Sequence, residues 1–380
     1  MLRTRWPLLR ECCSLPLDLT TIRAKAEGVG ETQPFLRVAE QHGVVSNVAG
    51  ALRRADKNVA ADLQEVLHSS YKRQSLAALS LCAELVRVTA MLQEAGVEFA
   101  ATKGPALSVR AYGDPGARRY VDLDLLVSQN EIFRACELLT SAGYAGNIPL
   151  EAVRSGRVPG EYVFQRGGTQ AILELHTERS FRFFPRPMPI EDFFRRKTAV
   201  TVDGRPVPAL SLEDEFVLIS IHGAKHFWER LMWISDVAAI VHRHPELNWT
   251  RVRRSAGDVG AERMVRVALL LAERLLRVAV PAEMKREVTA DAACLAIVKK
   301  IETWLPFAGQ RPPTLIERAL FRFRMRGKML GGARYLTRLS LSPTEEDWLD
   351  AGSKNGRLWE SLSRPFRLAK KYRRDRKETN

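Results

Sequence analysis

Two aspartates lie one residue apart within an otherwise apolar run, residues 121–127. If this run is a β-strand, its side chains alternate, so Asp122 and Asp124 point to one face and the leucines beside them to the other. Two adjacent carboxylates repel each other and resist desolvation, so such a pair persists where a cation neutralises it. Mg2+ prefers oxygen ligands and often binds one or two carboxylates together with substrate phosphates. The run therefore predicts either a metal-binding strand or a strand whose polar face is exposed to solvent.

The residues before this run predict an ordered series of elements. A helical segment over residues 72–95 leads into an apolar run, residues 97–101, and then into Lys103-Gly104. A second helix over residues 106–112 and a turn at residues 113–116 then lead to the acidic strand. The order is strand, glycine turn, helix, acidic strand.

A β-hairpin is predicted after the acidic strand. Gly167-Gly168 is a favoured hairpin turn between a short strand at residues 162–164 and a second strand at residues 171–176. On the second strand, Glu174 and His176 share one face because side chains alternate.

A further hairpin and a helix follow. Residues 198–210 predict the hairpin, with Asp203-Gly204 as its turn. Ser211 then predicts the N-cap of a helix, and residues 222–237 are interpreted as helical.

The polar residues of this helix allow two interpretations. His222 and His226 are four residues apart, a spacing that two zinc-binding histidines can use, but the segment lacks the glutamate of the metalloprotease motif. The alternative is a packed helix whose polar residues form buried pairs, such as Lys225 or Arg230 with Asp236.

Taken together, these motifs resemble the polymerase-β-like nucleotidyltransferases, and most closely an uncharacterised branch of that superfamily. Members of this branch read roughly L-K-G-x-A-L, then Y-x-D-P-x-x-R, then D-L-D-L-L-V, and later H-G-x-K-H-x-W-x-R-L-x-W-x-x-D. The corresponding stretches here are residues 103–107, residues 112–118, residues 122–127 and residues 222–236. The resemblance covers about residues 70–245.

The resemblance implies an α+β fold, in which a small mixed-sheet nucleotidyltransferase core lies between N-terminal and C-terminal helical regions. We expect a helical region over residues 1–95, the α/β core over residues 96–210, and a helical C-terminal region with a basic tail over residues 211–380.

The resemblance also implies a metal site. Asp122, Asp124 and Glu174 would be the catalytic residues and the ligands of Mg2+ or Mn2+. One ion would bridge the two aspartates and the phosphates, and a second, closer to Glu174, would lower the pKa of the attacking hydroxyl. Relatives usually read D-L-H where this chain has E-L-H, and the extra methylene moves the carboxylate oxygens by roughly 1.5 Å, the length of a carbon–carbon bond.

By the same resemblance, other residues would bind or support the nucleotide. A glycine lets backbone amides approach phosphates closely, and a lysine adds a charge. Arg118 would contact phosphate or, as an equal alternative, brace the aspartates. The predicted nucleotide-binding residues are Lys103, Gly104, Arg118 and Lys225, and the predicted supporting residues are His176, His222 and Asp236.

The implied reaction is transfer of a nucleoside monophosphate from an NTP, with ATP as the expected donor, to a hydroxyl, releasing pyrophosphate. The acceptor could be a small molecule, a protein side chain or an RNA end. The competing hypothesis is a non-catalytic protein that binds nucleotides or nucleic acid on the same fold. Glu174, standing where relatives have aspartate, keeps that alternative open.

Composition adds expectations about partners and location. The formal charge is +15, and residues 364–377 hold eight basic residues against one acid. This tail is either a solvated helix end or a contact for nucleic acid or an acidic surface. The five cysteines are odd in number and show no metal-binding spacing, which argues against disulfides and zinc. No apolar run of membrane-spanning length and no signal-peptide pattern was identified, so we expect a cytoplasmic protein that is not integral to a membrane.

Overall fold

The structure, a computed structural model, describes residues 2–56, 60–156, 160–169, 171–178, 186–308 and 314–326. The predicted basic tail at residues 364–377 lies outside these residues, so its role stays a prediction. Nothing is described of the side chains of residues 2–4 and of Leu315.

A seven-stranded mixed sheet forms the centre of the described chain. Its order is β3-β4-β5-β2-β1-β7-β6, with β2 parallel to β5 and β1 parallel to β7 and the other neighbours antiparallel. The strands are β1 (Phe99–Thr102), β2 (Asp122–Val127), β3 (Tyr144–Gly146), β4 (Glu161–Arg166), β5 (Ile172–His176), β6 (Thr198–Val202) and β7 (Arg205–Ala209). The predicted acidic strand and both predicted hairpins are confirmed.

Helices precede the first strand and follow the last strand in the sequence, which confirms the α+β class. A short 3-10 helix, Leu305–Phe307, follows the fifteenth helix. The α-helices of the described residues are α1 (Leu2–Cys13), α2 (Leu19–Glu27), α3 (Thr32–His42), α4 (Val45–Ala55), α5 (Ala61–Glu94), α6 (Gly104–Tyr112), α7 (Ile132–Ser141), α8 (Leu150–Arg154), α9 (Ile190–Arg195), α10 (Leu212–Lys225), α11 (Leu231–Arg243), α12 (Trp249–Val259), α13 (Glu262–Leu276), α14 (Ala282–Ala290), α15 (Ala292–Trp304) and α16 (Leu315–Arg324).

Strand β2 separates two hydrophobic cores. On one face, Leu123, Leu125 and Val127 pack with residues of α5, α7 and the neighbouring strands. On the other face, Leu126 packs into the core formed by the flanking helices. Because strand side chains alternate, the two aspartates share the face of Leu126, and the acidic positions lie on the helix-covered side of the sheet at the start of β2.

The N-terminal and C-terminal helices share one core. Apolar residues of α1 to α4 belong to the same buried cluster as those of α10 to α13. The backbone joins them as well, since the amide of Leu15 donates to the carbonyl of Leu276 at 2.9 Å. The two helical regions therefore pack together beside the sheet, and the predicted domain boundaries after residues 95 and 210 stay a prediction.

Helix α5 has the length and composition of a membrane span. An 18-residue window in its 34 residues has a mean hydropathy of 1.6, and 44% of that window is buried. This corrects the expectation that no stretch of the sequence meets that description. A core helix of a soluble protein passes the same test, and α5 packs on β2, so the helix is weak evidence for a membrane location.

The prediction that residues 222–237 lie on one helix is wrong, because the chain breaks there into α10 and α11. Phe227 and Trp228 both adopt left-handed backbone conformations, with φ of 59° and 55°. Such conformations cost non-glycine residues roughly 1–2 kcal/mol each. The break lets the amide of Trp228 donate to the carbonyl of Gly223 at 2.8 Å and buries the indole completely. Only glycine fits at 223, since a Cβ there would lie 2.4 Å from the Trp228 ring.

Candidate active site

Asp124 lies at the centre of a cluster of charged side chains. The parallel pairing of β2 with β5 places it directly opposite Glu174. Its Oδ1 atom lies 3.0 Å from Lys103 Nζ and 2.8 Å from His176 Nε2. The same His176 nitrogen lies 3.3 Å from Glu174 Oε2. The structure thus brings together four of the side chains that the sequence selected, from two strands and from the residue that follows β1.

The charges of this cluster shift one another's pKa values. Burial alone would raise the pKa of Asp124, but Lys103 and His176 hold it well below its usual range. Burial lowers the pKa of His176, but its contacts with Asp124 and Glu174 outweigh that effect and raise the pKa to about 9. Burial, followed by repulsion from Asp124 and Glu174, raises the pKa of Asp122. The half-buried Asp122 therefore lies close enough to interact electrostatically with Asp124 and Glu174.

The donor set suits a divalent cation. One ligand atom from each of Asp124, Glu174 and His176 lies within 4.8 Å of the others, and Asp122 is not a member of this group. Carboxylate oxygens are the ligands that Mg2+ and Mn2+ prefer, whereas the imidazole of His176 would first have to lose a proton to become a ligand. Burial first, and then the negative charges of Asp124 and Glu174, raise the pKa of Asp122, and a cation would neutralise those charges.

The turn between β1 and α6 shapes the side of this cluster. Lys103 has φ 52° and ψ −141°, an uncommon conformation for a residue with a side chain, and Gly104 follows with φ 43°. Glu215 on α10 holds the turn, because its carboxylate accepts from the Lys103 amide at 2.8 Å and from the Thr102 hydroxyl at 3.0 Å. Gly104 begins α6 and lies beside β2, because a Cβ at this position would be 3.5 Å from the backbone oxygen of Asp122. A helix N-terminus in this position favours anions.

Glu215 is a functional candidate that the sequence analysis missed. It is 1% exposed, and burial raises its pKa. The available signal was an acid directly before the apolar run of residues 216–219, where a helix buries its side chains. That signal could not show which backbone amide the carboxylate would accept.

Arg118 and Asp236 bind each other rather than the cluster around Asp124. Arg118 Nε lies 2.9 Å from Asp236 Oδ2, and these side chains are 6% and 2% exposed. The hydroxyl of Tyr112 donates to the other Asp236 oxygen at 2.9 Å. This places Arg118 in a buried brace between α6 and α11, where Coulombic interaction still reaches Asp122. The alternative pairs proposed for Asp236, with Lys225 or Arg230, are not among its described contacts.

Lys225 and His222 lie at the C-terminal end of α10, and their charges interact with those of the cluster around Asp124. Burial and the charge of Lys103 lower the pKa of Lys225, while Asp124 and Glu174 act in the opposite direction. Burial and the charge of Lys103 also lower the pKa of His222 well below its usual value. The His222 and His226 rings are tilted against each other with their centroids 4.6 Å apart, and both pack against Trp233. No third metal ligand accompanies the two histidines within the described residues.

Comparison with known protein families identifies the family of this chain. The chain belongs to a family described as uncharacterised nucleotidyltransferase, whose model matches residues 30–277. This confirms the family that the motifs resembled, and supports a general nucleotidyltransferase function.

The other comparisons are weaker. One solved structure, an antigenic nucleotidyltransferase-like protein from Paracoccidioides brasiliensis, is 16% identical, with a TM-score of 0.36 over 58% of this chain and 96% of that one. That similarity is too low to bear on function. No curated protein matches the sequence significantly.

Proposed function

We propose that this protein transfers a nucleoside monophosphate from an NTP, with ATP as the expected donor, to a hydroxyl acceptor. The supporting observation is the convergence of Asp124 and Glu174 from paired strands, with Asp122 on the same face, beside the Lys103-Gly104 turn. Mg2+ or Mn2+ would be held by the three carboxylates and would neutralise the charge that develops on the phosphates.

The residues around the cluster suit a triphosphate. The turn at Lys103-Gly104 presents the N-terminus of α6, and the positive end of the helix dipole favours anions. Lys225 adds a positive charge from α10 within electrostatic reach of Asp124. Arg118 would act indirectly, by fixing the segment that leads into β2 through its ion pair with Asp236.

The chemical step is a displacement at the α-phosphorus. The acceptor oxygen forms a bond to that phosphorus, and the bond to the oxygen bridging to the β-phosphate breaks. Pyrophosphate leaves with the electron pair, and the hydroxyl proton passes to a carboxylate. We assign that role to Glu174, because its side chain is 23% exposed. The side chain of Asp124 is 4% exposed and is bound by Lys103 and His176.

The experiment follows the α-phosphate of a labelled NTP into any acceptor, with release of pyrophosphate as a second readout. Each of the four NTPs is tested with Mg2+, with Mn2+ and with a chelator, against fractionated small molecules, RNA and protein. We expect metal-dependent transfer that falls by at least about a hundredfold in Asp124→Asn, since one electrostatic group in such a site contributes on that order.

The matched control is Asp258→Asn, which removes an exposed carboxylate on α12, far along the chain from the cluster. It should leave transfer unchanged. If no NTP donates its α-phosphate under any condition while the protein still binds nucleotide or RNA without a metal, the enzymatic proposal is wrong and the non-catalytic alternative is favoured.

A further inference from the structure

We propose that Glu215 is a positioning residue for the NTP, and that it acts through the backbone of the Lys103-Gly104 turn without touching the nucleotide. This rests on the proposed function and names the residue on which the affinity of that turn for phosphates depends. Glu215 holds the turn in a conformation that Lys103 would rarely adopt by itself.

The backbone of the turn is in an unfavourable conformation. Lys103 has φ 52° and ψ −141°, at the border of a region that is almost reserved for glycine. A residue with a Cβ is disfavoured there by roughly tenfold to a hundredfold. Gly104 follows with φ 43°, so two consecutive residues have positive φ. Such a conformation persists where the surrounding structure holds it, so the turn needs a support outside itself.

The carboxylate of Glu215 is that support. Its Oε1 atom accepts from the Lys103 amide at 2.8 Å, and its Oε2 atom accepts from the Thr102 hydroxyl at 3.0 Å. One side chain thus holds two consecutive residues, one with each oxygen. Glu215 is 1% exposed and Thr102 is 3% exposed, so water competes little for these bonds. A different turn would leave the buried carboxylate without its amide donor, which is strongly unfavourable.

The start of α10 holds this carboxylate in a fixed place. Asp214, the residue before Glu215, forms a two-pronged contact with Arg196, with both N–O distances at 2.9 Å. Arg110, in the last turn of α6, attracts Glu215 electrostatically and donates to the carbonyl of Leu210 at 2.6 Å. These contacts join α10 to both neighbouring segments, so Glu215 is a rigid support for the turn.

The charge of Glu215 would by itself have the opposite effect on a nucleotide. A buried negative charge behind a turn that binds phosphates repels them. If repulsion were the main effect of Glu215, removing the carboxylate would strengthen nucleotide binding. If positioning is the main effect, removing it weakens binding. The two roles therefore predict changes of opposite sign.

The test measures binding of α,β-methylene-ATP, which cannot release pyrophosphate, to the full chain in Mg2+ by titration calorimetry. Glu215→Gln keeps an oxygen for the Lys103 amide and places its NH2 group beside the Thr102 hydroxyl oxygen. It should bind within about threefold of wild type, or more tightly. Glu215→Leu has no acceptor and should bind at least about tenfold more weakly.

Two more readouts locate the effect at the turn. Inorganic triphosphate should lose affinity in Glu215→Leu by the same factor, because the turn acts on the phosphates. A loss confined to α,β-methylene-ATP would place the effect at the ribose or base and overturn the proposal. Amide hydrogen exchange over residues 102–107, without nucleotide, should be faster in Glu215→Leu and unchanged in Glu215→Gln. Unchanged exchange in Glu215→Leu also overturns it.

Matched variants fix the interpretation. Glu213→Gln removes a partly exposed carboxylate from the same turn of α10 and should bind as wild type does. Binding in Glu215→Leu that equals or exceeds that of wild type overturns the proposal, and so does a Glu215→Gln as weak as Glu215→Leu. If Glu215→Leu does not fold by circular dichroism, Thr102→Val decides. It removes the hydroxyl, keeps the shape, and should weaken binding by at least about threefold; unchanged or tighter binding overturns the proposal.

Failure of the proposed function gives a different result. If wild type binds neither α,β-methylene-ATP nor inorganic triphosphate, the nucleotide site itself is wrong, whatever Glu215 does to the turn. If wild type binds both and Glu215→Leu binds them equally well, the nucleotide site stands and only the role assigned to Glu215 is removed.

Discussion

Arg118 and Asp236 form a buried ion pair, and removing one partner alone should destabilise the fold strongly. Their N–O distance is 2.9 Å, and both side chains are nearly inaccessible to water. Arg118→Leu would leave the carboxylate of Asp236 buried with the hydroxyl of Tyr112 as its described partner. Breaking such a pair costs about 3–5 kcal/mol, because an uncompensated charge remains in the interior. We expect Asp236→Leu to cost a similar amount.

The double variant separates an ion pair from two independent losses. Independent effects would add to roughly 6–10 kcal/mol. Arg118→Leu/Asp236→Leu removes both charges together and leaves mainly the Tyr112 hydroxyl without its acceptor, which costs about 1–3 kcal/mol. The expected coupling energy is therefore at least about 2 kcal/mol. The assay is urea unfolding followed by tryptophan fluorescence, with the midpoints compared at a common slope.

The same variants distinguish the two roles that the sequence left open for Arg118. A bracing residue changes stability and leaves the KM for the NTP within a fewfold of wild type when the protein is kept folded. If Arg118 instead bound phosphate, its removal would raise the KM for the NTP and leave stability nearly unchanged. If Arg118→Leu lowers stability by less than about 1 kcal/mol and raises KM by more than about tenfold, the account of a buried brace is refuted.

Two further predictions concern the helical core. Burial, and then Arg230, lower the pKa of His42 from 6.5 to about 4, so the folded state binds its proton less tightly than the unfolded state. The resulting stability is fully present above pH 6.5 and is lost as pH falls through 4, by up to about 3 kcal/mol. His42→Gln, which can still accept from the Leu231 amide, should flatten the dependence of unfolding free energy on pH in this window; an unchanged slope would assign it to other groups. Gly223→Ala places a Cβ 2.4 Å from the Trp228 ring and should cost about 1–3 kcal/mol, whereas Gly257→Ala, whose nearest neighbour is 4.0 Å away, should stabilise by up to about 1 kcal/mol. Equal thermal shifts for the two glycine variants would contradict the packing of Trp228 against α10.

The local elements could be predicted because their signals are local. Alternation around Asp122 and Asp124 identified β2 and its two faces, and the cap at Ser211 identified the start of α10. The turn chemistry at Asp203-Gly204 identified the β6–β7 hairpin. In each case a few neighbouring residues decide the conformation, so a short segment of sequence is enough to predict the element.

The partners of the site residues could not be predicted from such signals. Arg118 binds an aspartate 118 residues away, and Glu215 accepts from an amide 112 residues away. The order of the strands and the packing of the helices bring these residues together, and no local sequence pattern specifies either. The break after Lys225 was missed for a related reason. Nothing in residues 222–236 favours left-handed conformations locally, and the burial of Trp228 stabilises them instead.

The central claim is that the carboxylates of β2 and β5 hold a divalent ion that binds the triphosphate. The most direct test is calorimetric titration of the full chain with α,β-methylene-ATP, with Mn2+ and then with a chelator, for wild type and for Asp124→Asn. The account predicts binding that weakens by at least about tenfold, or 1.4 kcal/mol, without the ion and in the variant. Equal affinity with and without Mn2+, unchanged in Asp124→Asn, would contradict it.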